Sequence, residues 1–328
     1  MRENSFTYYS SVRTQNMANT KHAAVAIVHP AAKRRLRPGM WQSIEAQWGP
    51  FCQLETLHGQ HARQLAANAV KGGAKHIVCV GGDGTVHHAV NGILSEELSR
   101  QELDEIRIGI IPCGSANDLV HSIEATLNDG KQKSNRFKHW NDAISLDVGR
   151  IETSNGVRYF CNVLGIGFTA QVARRVASFR NTTGKAKYFA ALTTSLYRDR
   201  QSPNMRVTDC SETDIERPTL LYCAAIGMRE GGFPLFRAAQ MQDGLFETLH
   251  VTDVSLGKIA RLLPFVLRGR FPEQDSQVRM CRTGRIEVAS ASPLICHADG
   301  ELVCDESDQC PRIHAECWKQ HLRMLVIR

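Results

Sequence analysis

The stretch that decides the fold is CVGGDGTVHHAVNGI, residues 79–93, in which a glycine-rich loop separates an apolar run from an amphipathic one. The preceding residues 75–80, KHIVCV, are short and apolar and end at a glycine, which predicts a buried strand. The apolar spacing of residues 86–98 predicts a helix. Because a loop that leaves a strand and opens a helix offers backbone N–H groups to an anion, we expect it to bind phosphate.

The residue types within this loop agree with phosphate binding. Gly81, Gly82 and Gly84 allow backbone angles that are closed to other residues and let the chain approach a ligand closely. Thr85 can donate a hydrogen bond to a phosphate oxygen. Asp83 would repel phosphate, so we expect it to accept a hydrogen bond from a nucleotide hydroxyl, to position Mg²⁺ or to take a proton. The alternative is a glycine-rich turn that binds nothing.

A second loop of the same kind follows the strand predicted for residues 107–113, in the sequence IIPCGSANDL. Gly114 and Ser115 again combine a turn with a hydroxyl group, and Asn117 and Asp118 can cap the helix that follows. Two such loops at neighbouring strand ends flank one crevice, which is where open α/β sheets bind ligands. The pair of loops is therefore stronger evidence for a nucleotide than either loop alone.

Length and charge narrow the classes of protein. The chain has 328 residues, which is enough for two domains at roughly 150 residues each. No apolar run approaches the ~18 residues of a membrane span. The net charge of +7 suits an acidic substrate, an anionic membrane surface or nucleic acid. Nucleic acid is disfavoured, because the basic residues are dispersed and lack an aromatic platform. The densest basic cluster, with a solvated loop as its alternative, consists of Lys33, Arg34, Arg35 and Arg37.

The patterns along the chain predict two domains. Short apolar strands alternate with helices as far as residue 143, which predicts a parallel sheet with crossover helices. From residue 144 onward, short β-rich runs separated by turn residues predict a mainly antiparallel domain. A helical insertion at 184–198 and a basic amphipathic stretch at 255–270 interrupt those runs. We thus expect a disordered tail at 1–20, an α/β domain at 21–143 and a β-rich domain at 144–314.

Two weaker signals need separate treatment. The sequence LGIGFTA (164–170) matches a dinucleotide-binding pattern, but no acidic residue lies about 20 residues on and the motif sits in the β-rich half. The eleven cysteines form no CxxC pair, and several lie in apolar contexts, which fits buried free thiols in a reducing cytoplasm. Free thiols are favoured over a zinc site or a local disulfide for one cluster, Cys304, Cys310, His314 and Cys317.

Four motifs in a fixed order give a more specific indication. GGDGT, IGIIPCGSANDL, GGF followed by DGLFE, and finally DGE cover most of the chain. This order resembles the diacylglycerol kinase catalytic-domain family, which includes bacterial lipid kinases and sphingosine kinases and is related to the NAD kinases. The resemblance implies an α/β nucleotide-binding domain, a β-sandwich-like second domain and an active site in the cleft between them. It also implies that residues 315–328 return to the first domain.

The resemblance further implies an ATP- and Mg²⁺-dependent kinase that phosphorylates a hydroxyl of diacylglycerol or a related lipid, a sphingoid base included. Glu301 would be the general base, with Asp299 and Asp83 also catalytic. Asp243, with Gln240 and Leu245, would match a Mg²⁺ site. The residues implied to bind ATP are Gly81, Gly82, Asp83, Gly84, Thr85, His87, His88, Gly114, Ser115, Asn117 and Asp118.

The sequence departs from the family pattern in three places. His29 replaces an asparagine that the family often carries, His87-His88 replaces its usual Asn-Glu, and Ser115 replaces a threonine but keeps the hydroxyl. These changes keep two alternatives open, a soluble-substrate kinase of the NAD kinase type and a non-catalytic nucleotide-binding regulatory protein. We expect a cytoplasmic protein that binds its lipid peripherally at a membrane surface. The sequence leaves the oligomeric state open, a homodimer included.

Overall fold

The computed structural model describes residues 24–36, 38–128, 137–179, 184–210, 216–272 and 275–328, so the predicted tail at 1–20 and Arg37 lie outside the described residues. The described helices are α1 Pro30–Lys33, α2 Met40–Trp48, α3 His61–Lys71, α4 Asp83–Leu94, α5 Arg100–Glu105, α6 Asp118–Asn128, α7 Phe168–Ser178, α8 Gly184–Arg198 and α9 Leu256–Val266. The strands are β1 Ala24–Val28, β2 Phe51–Glu55, β3 His76–Gly81, β4 Arg107–Pro112, β5 Ile144–Thr153, β6 Gly156–Phe160, β7 Val163–Gly167, β8 Asn204–Thr208, β9 Glu216–Ala225, β10 Phe246–Thr252, β11 Val278–Thr283, β12 Arg285–Ala289, β13 Cys296–Ala298, β14 Glu301–Cys304 and β15 Arg312–Val326.

The chain divides into two compact units. The first contains the described residues up to Cys113, together with 137–144 and 322–328, and the second contains 114–128 and the described residues of 145–321. Within the first unit, strands β2, β1, β3 and β4 pair in that order and all run parallel. The end of β15 adds a fifth parallel strand, with Met324 beside Ile108. The α/β prediction for the first half of the chain is therefore confirmed.

The parallel sheet forms where the sequence has continuous apolar runs. All five residues of β1 are buried, as are the last five of β3. A strand that is buried on both faces cannot alternate apolar and polar residues, which explains why these strands appear in the sequence as unbroken apolar segments. Helix α4 ends at Leu94, four residues earlier than the pattern predicts, and a capping box at Ser99 then starts α5.

The second unit is built from antiparallel pairs. One series runs β14, β13, β7, β9, β10 and β11, and a second runs from β9 through β8 and β12 to the start of β15. The predicted helical segments at 184–198 and 255–270 correspond to α8 and α9. Helix α7 was not predicted, because its eleven residues follow directly on the strand VLGIG within a β-rich stretch. The prediction of a mainly antiparallel second half is confirmed.

The cysteines follow the sequence prediction with one exception. Nine form no disulfide, among them Cys304, Cys310 and Cys317, which excludes a local disulfide in that cluster. Cys210 and Cys281 form a disulfide, which the sequence patterns did not predict. The two lie 71 residues apart in the sequence, a separation that carries no local spacing signal. No helix in the described part of the chain is long and apolar enough to cross a membrane.

Helices α3 and α4 pack closely through small residues. A Cβ atom added at Gly92 of α4 would lie 2.2 Å from the carbonyl oxygen of Arg63 and 3.1 Å from the Cβ of Ala66 on α3. Ala62, Ala66 and Ala69 of α3 are buried. Gly92 is therefore required because any side chain at this position would overlap the backbone of α3.

We expect Gly92→Ala to destabilise the protein by about 1–3 kcal/mol, because the added methyl group overlaps a backbone carbonyl that cannot yield without moving α3. Urea denaturation followed by circular dichroism measures the change. Gly257→Ala is the matched control, because a Cβ at Gly257 of α9 meets no atom within 4 Å. That variant should be neutral or more stable by up to about 1 kcal/mol. Equal effects of the two substitutions would contradict the packing argument.

A buried histidine gives the second unit a pH dependence. His250 is 8% exposed, and its Nε2 atom lies 2.9 Å from the Thr219 hydroxyl. Burial, followed by the nearby Arg279, lowers the pKa of His250 from 6.5 to about 4, while Asp209 acts in the opposite direction. The neutral ring is the form that the fold favours.

Since the folded-state pKa is depressed, the stability contributed by neutral His250 is present above pH 6.5 and is lost as the pH falls towards 4. The loss should reach about 3 kcal/mol. We expect urea midpoints to fall over this window for the wild type and for His58→Gln, which changes an exposed histidine. The urea midpoint of the His250→Gln variant should fall less over the same pH range. A curve for His250→Gln that is parallel to the wild type would contradict the assignment.

Candidate active site

The GGDGT loop lies at the carboxyl end of β3 in the first unit. Gly82 is the N-cap of α4 in an extended conformation, and the Thr85 N–H donates to the Gly82 carbonyl over 3.0 Å. Asp83 is the first residue of the helix and is half-buried. The macrodipole of α4 favours an anion at this end of the helix.

Close packing, and not an unusual backbone angle, explains one glycine of this loop, Gly81. Gly81, Gly82 and Gly84 all lack positive φ values, so the expectation that they adopt angles closed to other residues is wrong. A Cβ atom at Gly81 would lie 2.2 Å from the Thr85 Oγ1 atom. Gly81 is thus required because the Thr85 side chain folds back over the end of β3.

The two histidines that follow the loop take different environments. His87 is 6% exposed, and the side-chain nitrogen of Asn91 donates to its carbonyl over 2.9 Å and lies 3.4 Å from its Nε2 atom. His88 is half-buried, with its ring edge-on to that of His87 at 5.4 Å. His87 therefore packs in the interior of the first unit, and His88 is the more accessible of the two.

The ends of β3 and β4 meet beside an arginine. Gly81 is the register partner of Pro112, and the Cys113 N–H donates to the Gly81 carbonyl over 2.8 Å. The Arg35 Nη1 atom donates to the Cys113 carbonyl over 2.7 Å. The basic cluster after the first strand thus contributes one guanidinium group to the start of the second loop. The sequence pattern located this cluster but gave no sign of its partner.

The second loop closes on itself. Asn117 has a positive φ of 51°, its Oδ1 atom accepts the Gly114 N–H over 2.9 Å, and its side-chain nitrogen donates to the Gly114 carbonyl. Ser115 is left exposed at the tip. Asp118 is buried and accepts the Gly232 N–H at 3.0 Å, so within the second unit it ties the start of α6 to the turn at residues 230–233.

Asp299 is bound by the backbone of the second unit. Its two carboxylate oxygens accept the N–H groups of Cys161, Asn162 and Val163 at 3.0, 2.8 and 3.1 Å. Three charge-assisted bonds to main-chain donors fix a carboxylate strongly. This geometry makes Asp299 a positioning residue for the segment that enters β7 and for the turn on which Asp299 itself lies.

That turn carries Glu301. Asp299 and Gly300 both have positive φ, 52° and 85°, which are the angles of a two-residue hairpin turn. Ala298 and Glu301 are register partners at its base, where β13 and β14 meet. Glu301 is half-buried at the first position of β14. A carboxylate on such a rigid turn has a fixed position from which it can accept a proton.

The residues implied for a Mg²⁺ site do not fit a metal ion in this arrangement. One oxygen of Asp243 accepts the Leu245 N–H over 2.9 Å, and the other pairs with the guanidinium of Arg282. Gln240 is exposed. A guanidinium group at the only carboxylate of the set disfavours a divalent cation there. In the described ranges, the one close group of three metal-ligating residue types is Asp209, Cys210 and Cys281, and its two sulfurs form the disulfide.

The second unit also contains an apolar pocket, which the sequence did not locate. A cavity of about 130 Å³, partly open to solvent, lies among 23 side chains, nearly all of them apolar. Helix α8 contributes Tyr188, Leu192 and Leu196. Helix α9 contributes a larger apolar set, consisting of Ile259, Leu262, Leu263 and Val266. An apolar lining of this kind suits the hydrocarbon portion of a ligand.

Two family models match the chain. The diacylglycerol kinase catalytic domain matches residues 23–151, and the YegS C-terminal NAD kinase beta sandwich-like domain matches residues 162–325. These limits differ from the compact units, so the predicted domain boundaries stay a prediction. The antiparallel pairs of the second unit correspond to the β-sandwich-like domain.

Relatives agree with these models. The diacylglycerol kinase of Mycobacterium tuberculosis strain H37Rv is 29% identical over 74% of this chain and 75% of its own length. The YegS-like lipid kinase of Chromohalobacter salexigens is 27% identical over 86% and 85%. A crystal structure of a diacylglycerol kinase from Bacillus anthracis covers 92% of this chain and 96% of its own, with a TM-score of 0.59 at 16% identity, which shows a shared fold.

Because the two models together cover nearly the whole chain and the second alone covers half of it, this chain belongs to the diacylglycerol kinase catalytic-domain family of lipid kinases and is a phosphotransferase with an alcohol group as acceptor.

Proposed function

We propose that this protein transfers the terminal phosphoryl group of Mg²⁺–ATP to a hydroxyl group of diacylglycerol or a related lipid. The observation that carries this proposal is the apolar pocket of the second unit in a chain of this family. A soluble acceptor such as a dinucleotide needs polar lining groups, whereas 23 mostly apolar side chains desolvate hydrocarbon. The proposal therefore extends the family's general activity to a lipid acceptor.

Features of the first unit support the proposal that ATP is the phosphate donor. The N-terminus of α4, the Thr85 hydroxyl and the guanidinium of Arg35 supply the N–H, O–H and positive charge that phosphates attract. The Mg²⁺ ion of this proposal enters with the nucleotide phosphates, as is usual in phosphoryl transfer. No step is assigned to Asp243, whose carboxylate is paired with Arg282.

Glu301 is the proposed general base. The lipid hydroxyl oxygen forms a bond to the transferred phosphorus, the bond from that phosphorus to the nucleotide's leaving oxygen breaks, and the hydroxyl proton passes to Glu301. Asp299 acts through Glu301, because its three backbone bonds fix the hairpin turn that carries this residue. Asp83, at the start of α4, is proposed to orient the nucleotide or its cation.

Helices α8 and α9, which line the apolar pocket, are proposed to contact a membrane surface. Phe189 and Tyr197 of α8 are 45% and 88% exposed, and Leu256 and Phe265 of α9 are 50% and 53% exposed. Helix α9 has no fully buried residue although it is rich in leucine. Exposed arginines lie beside this surface at positions 261, 268 and 270. Apolar side chains with basic neighbours favour the interface of an anionic bilayer, from which a lipid reaches the pocket directly.

The first test is phosphoryl transfer from labelled ATP with Mg²⁺ to a lipid panel in mixed micelles. We expect label on one lipid class with the wild type, and a loss of about 100-fold or more in kcat/KM for Glu301→Gln, because the amide cannot take the proton. Glu287→Gln, a change on β12, should retain activity and serves as the control.

Other outcomes of this assay identify other functions. Label on NAD in the absence of lipid would indicate a soluble-substrate kinase. ATP binding without transfer to any acceptor would indicate a nucleotide-binding regulator. Either result overturns the lipid assignment, and full activity of Glu301→Gln would remove only its role as base.

Membrane binding has its own test, sedimentation with vesicles that contain phosphatidylglycerol. We expect the double variant Leu256→Ser/Phe265→Ser to bind about tenfold more weakly or worse, because two apolar side chains no longer enter the interface. Wild-type binding should weaken with added salt. Leu57→Ser is the matched control, because Leu57 is 74% exposed in the first unit. Equal loss in the control, or no loss in the double variant, would contradict a docking role for α9.

A further inference from the structure

One carboxylate lies among the lining side chains of the apolar pocket, that of Glu230. Glu230 is 8% exposed, and its Oε2 atom is buried without a hydrogen-bond partner. An unpartnered carboxylate oxygen in an apolar surrounding is strongly disfavoured unless something donates to it. Native proteins rarely leave such atoms unsatisfied, so this oxygen requires an explanation.

The neighbours of Glu230 leave its Oε2 atom without a donor. The Nε2 atom of His297 lies 3.0 Å from the Glu230 Oε1 atom, but it makes no well-aligned hydrogen bond. The Nδ1 atom of His297 accepts the Gly300 N–H over 3.2 Å, so it is not available as a donor to Glu230. Burial raises the pKa of Tyr188 well above its ordinary value, so its hydroxyl is neutral.

The backbone holds Glu230 rigidly. Its N–H donates to the Phe233 carbonyl over 2.9 Å and its carbonyl accepts the Phe233 N–H over 3.0 Å, so the four residues form a tight turn. Gly231 and Gly232 at the tip have positive φ, and Gly232 is also bound by Asp118. The side chain on such a turn is held in place before a ligand arrives, which is what a recognition site requires.

We propose that Glu230 is a specificity-determining residue that accepts a second hydrogen-bond donor on the polar head of the acceptor lipid, and that this donor is an ammonium group. The inference rests on the proposed lipid kinase function. An ionised carboxylate only accepts hydrogen bonds. A diacylglycerol has one hydroxyl donor, which the reaction uses, and its remaining head-group oxygens are acceptors that a carboxylate repels. A long-chain amino alcohol supplies both a reacting hydroxyl and a cation that pairs with a buried carboxylate.

The activity test compares three acceptors in non-ionic micelles, namely a long-chain amino alcohol, a monoacylglycerol and a diacylglycerol. We expect the wild type to favour the amino alcohol in kcat/KM. Glu230→Gln should lower kcat/KM for that acceptor by about 10- to 100-fold, as expected for loss of a charged hydrogen bond. It should change the value for diacylglycerol less than about threefold. Glu306→Gln is the matched control, since its side chain is 47% exposed in the same unit.

Glu230→Asp, which keeps the charge, should recover part of the preference and shows whether a failed Glu230→Gln variant is simply misfolded. A wild type that uses diacylglycerol best, with a ratio of acceptors that Glu230→Gln leaves unchanged, would overturn the proposal.

A binding test separates this proposal from the kinase assignment. Titration calorimetry with dodecylamine and dodecanol, both below their aggregation concentrations, measures the preference of the pocket without catalysis. We expect the wild type to bind the amine at least about tenfold more tightly than the alcohol. The Glu230→Gln variant should bind the two compounds equally. If no acceptor is phosphorylated and this preference persists, the proposed function is wrong and the pocket assignment stands. Equal binding of amine and alcohol to the wild type would overturn the role of Glu230.

Discussion

The constraint on which the second unit depends is the Asp299 carboxylate, held by three consecutive backbone N–H groups. These donors belong to residues 161–163, just where β7 begins, so one side chain fixes both that strand and the hairpin turn that carries Glu301. The same segment extends the network, because Asn162 donates to the Arg229 carbonyl and accepts from Ser122. The chain next to Arg229 bears Glu230. A single carboxylate thus orders the proposed base and, through Asn162, the turn of the proposed recognition residue.

The first unit depends on a different constraint, the close approach of small residues. Gly81 admits the Thr85 side chain at the end of β3, and Gly92 admits the Arg63 carbonyl between α3 and α4. Both contacts fix helix α4, whose N-terminus forms the proposed phosphate site. A larger residue at either position would shift the helix that presents the N–H groups. The precision of the nucleotide loop therefore comes from packing behind it as much as from the loop.

Sequence patterns predicted those parts of the molecule whose signals are local. Strands β1, β3 and β4 form as expected because each is a continuous apolar run ended by a turn residue or a glycine. The motif order likewise singled out Asp299 and Glu301, whose roles stay a prediction. The patterns missed contacts between distant residues: Arg35 with Cys113, Cys210 with Cys281, and Glu230 with His297. No period or spacing marks such pairs. Gly81 shows a further limit. The sequence suggests that this glycine provides a special backbone angle, but only the structure shows that it instead leaves room for the Thr85 side chain.

Helix α9 links stability to ligand binding in the second unit. Its inner side chains face the pocket and its outer ones face solvent, so none of its residues is fully buried. The tertiary structure stabilises an apolar helix of this kind only weakly, because side chains that line a pocket make fewer dispersion contacts than side chains in a packed core. We expect its local stability to be lower than that of the strands beneath, as is usual for elements that cover binding sites. A hydrocarbon chain in the pocket would supply the missing contacts, so occupancy by ligand and ordering of α9 favour each other.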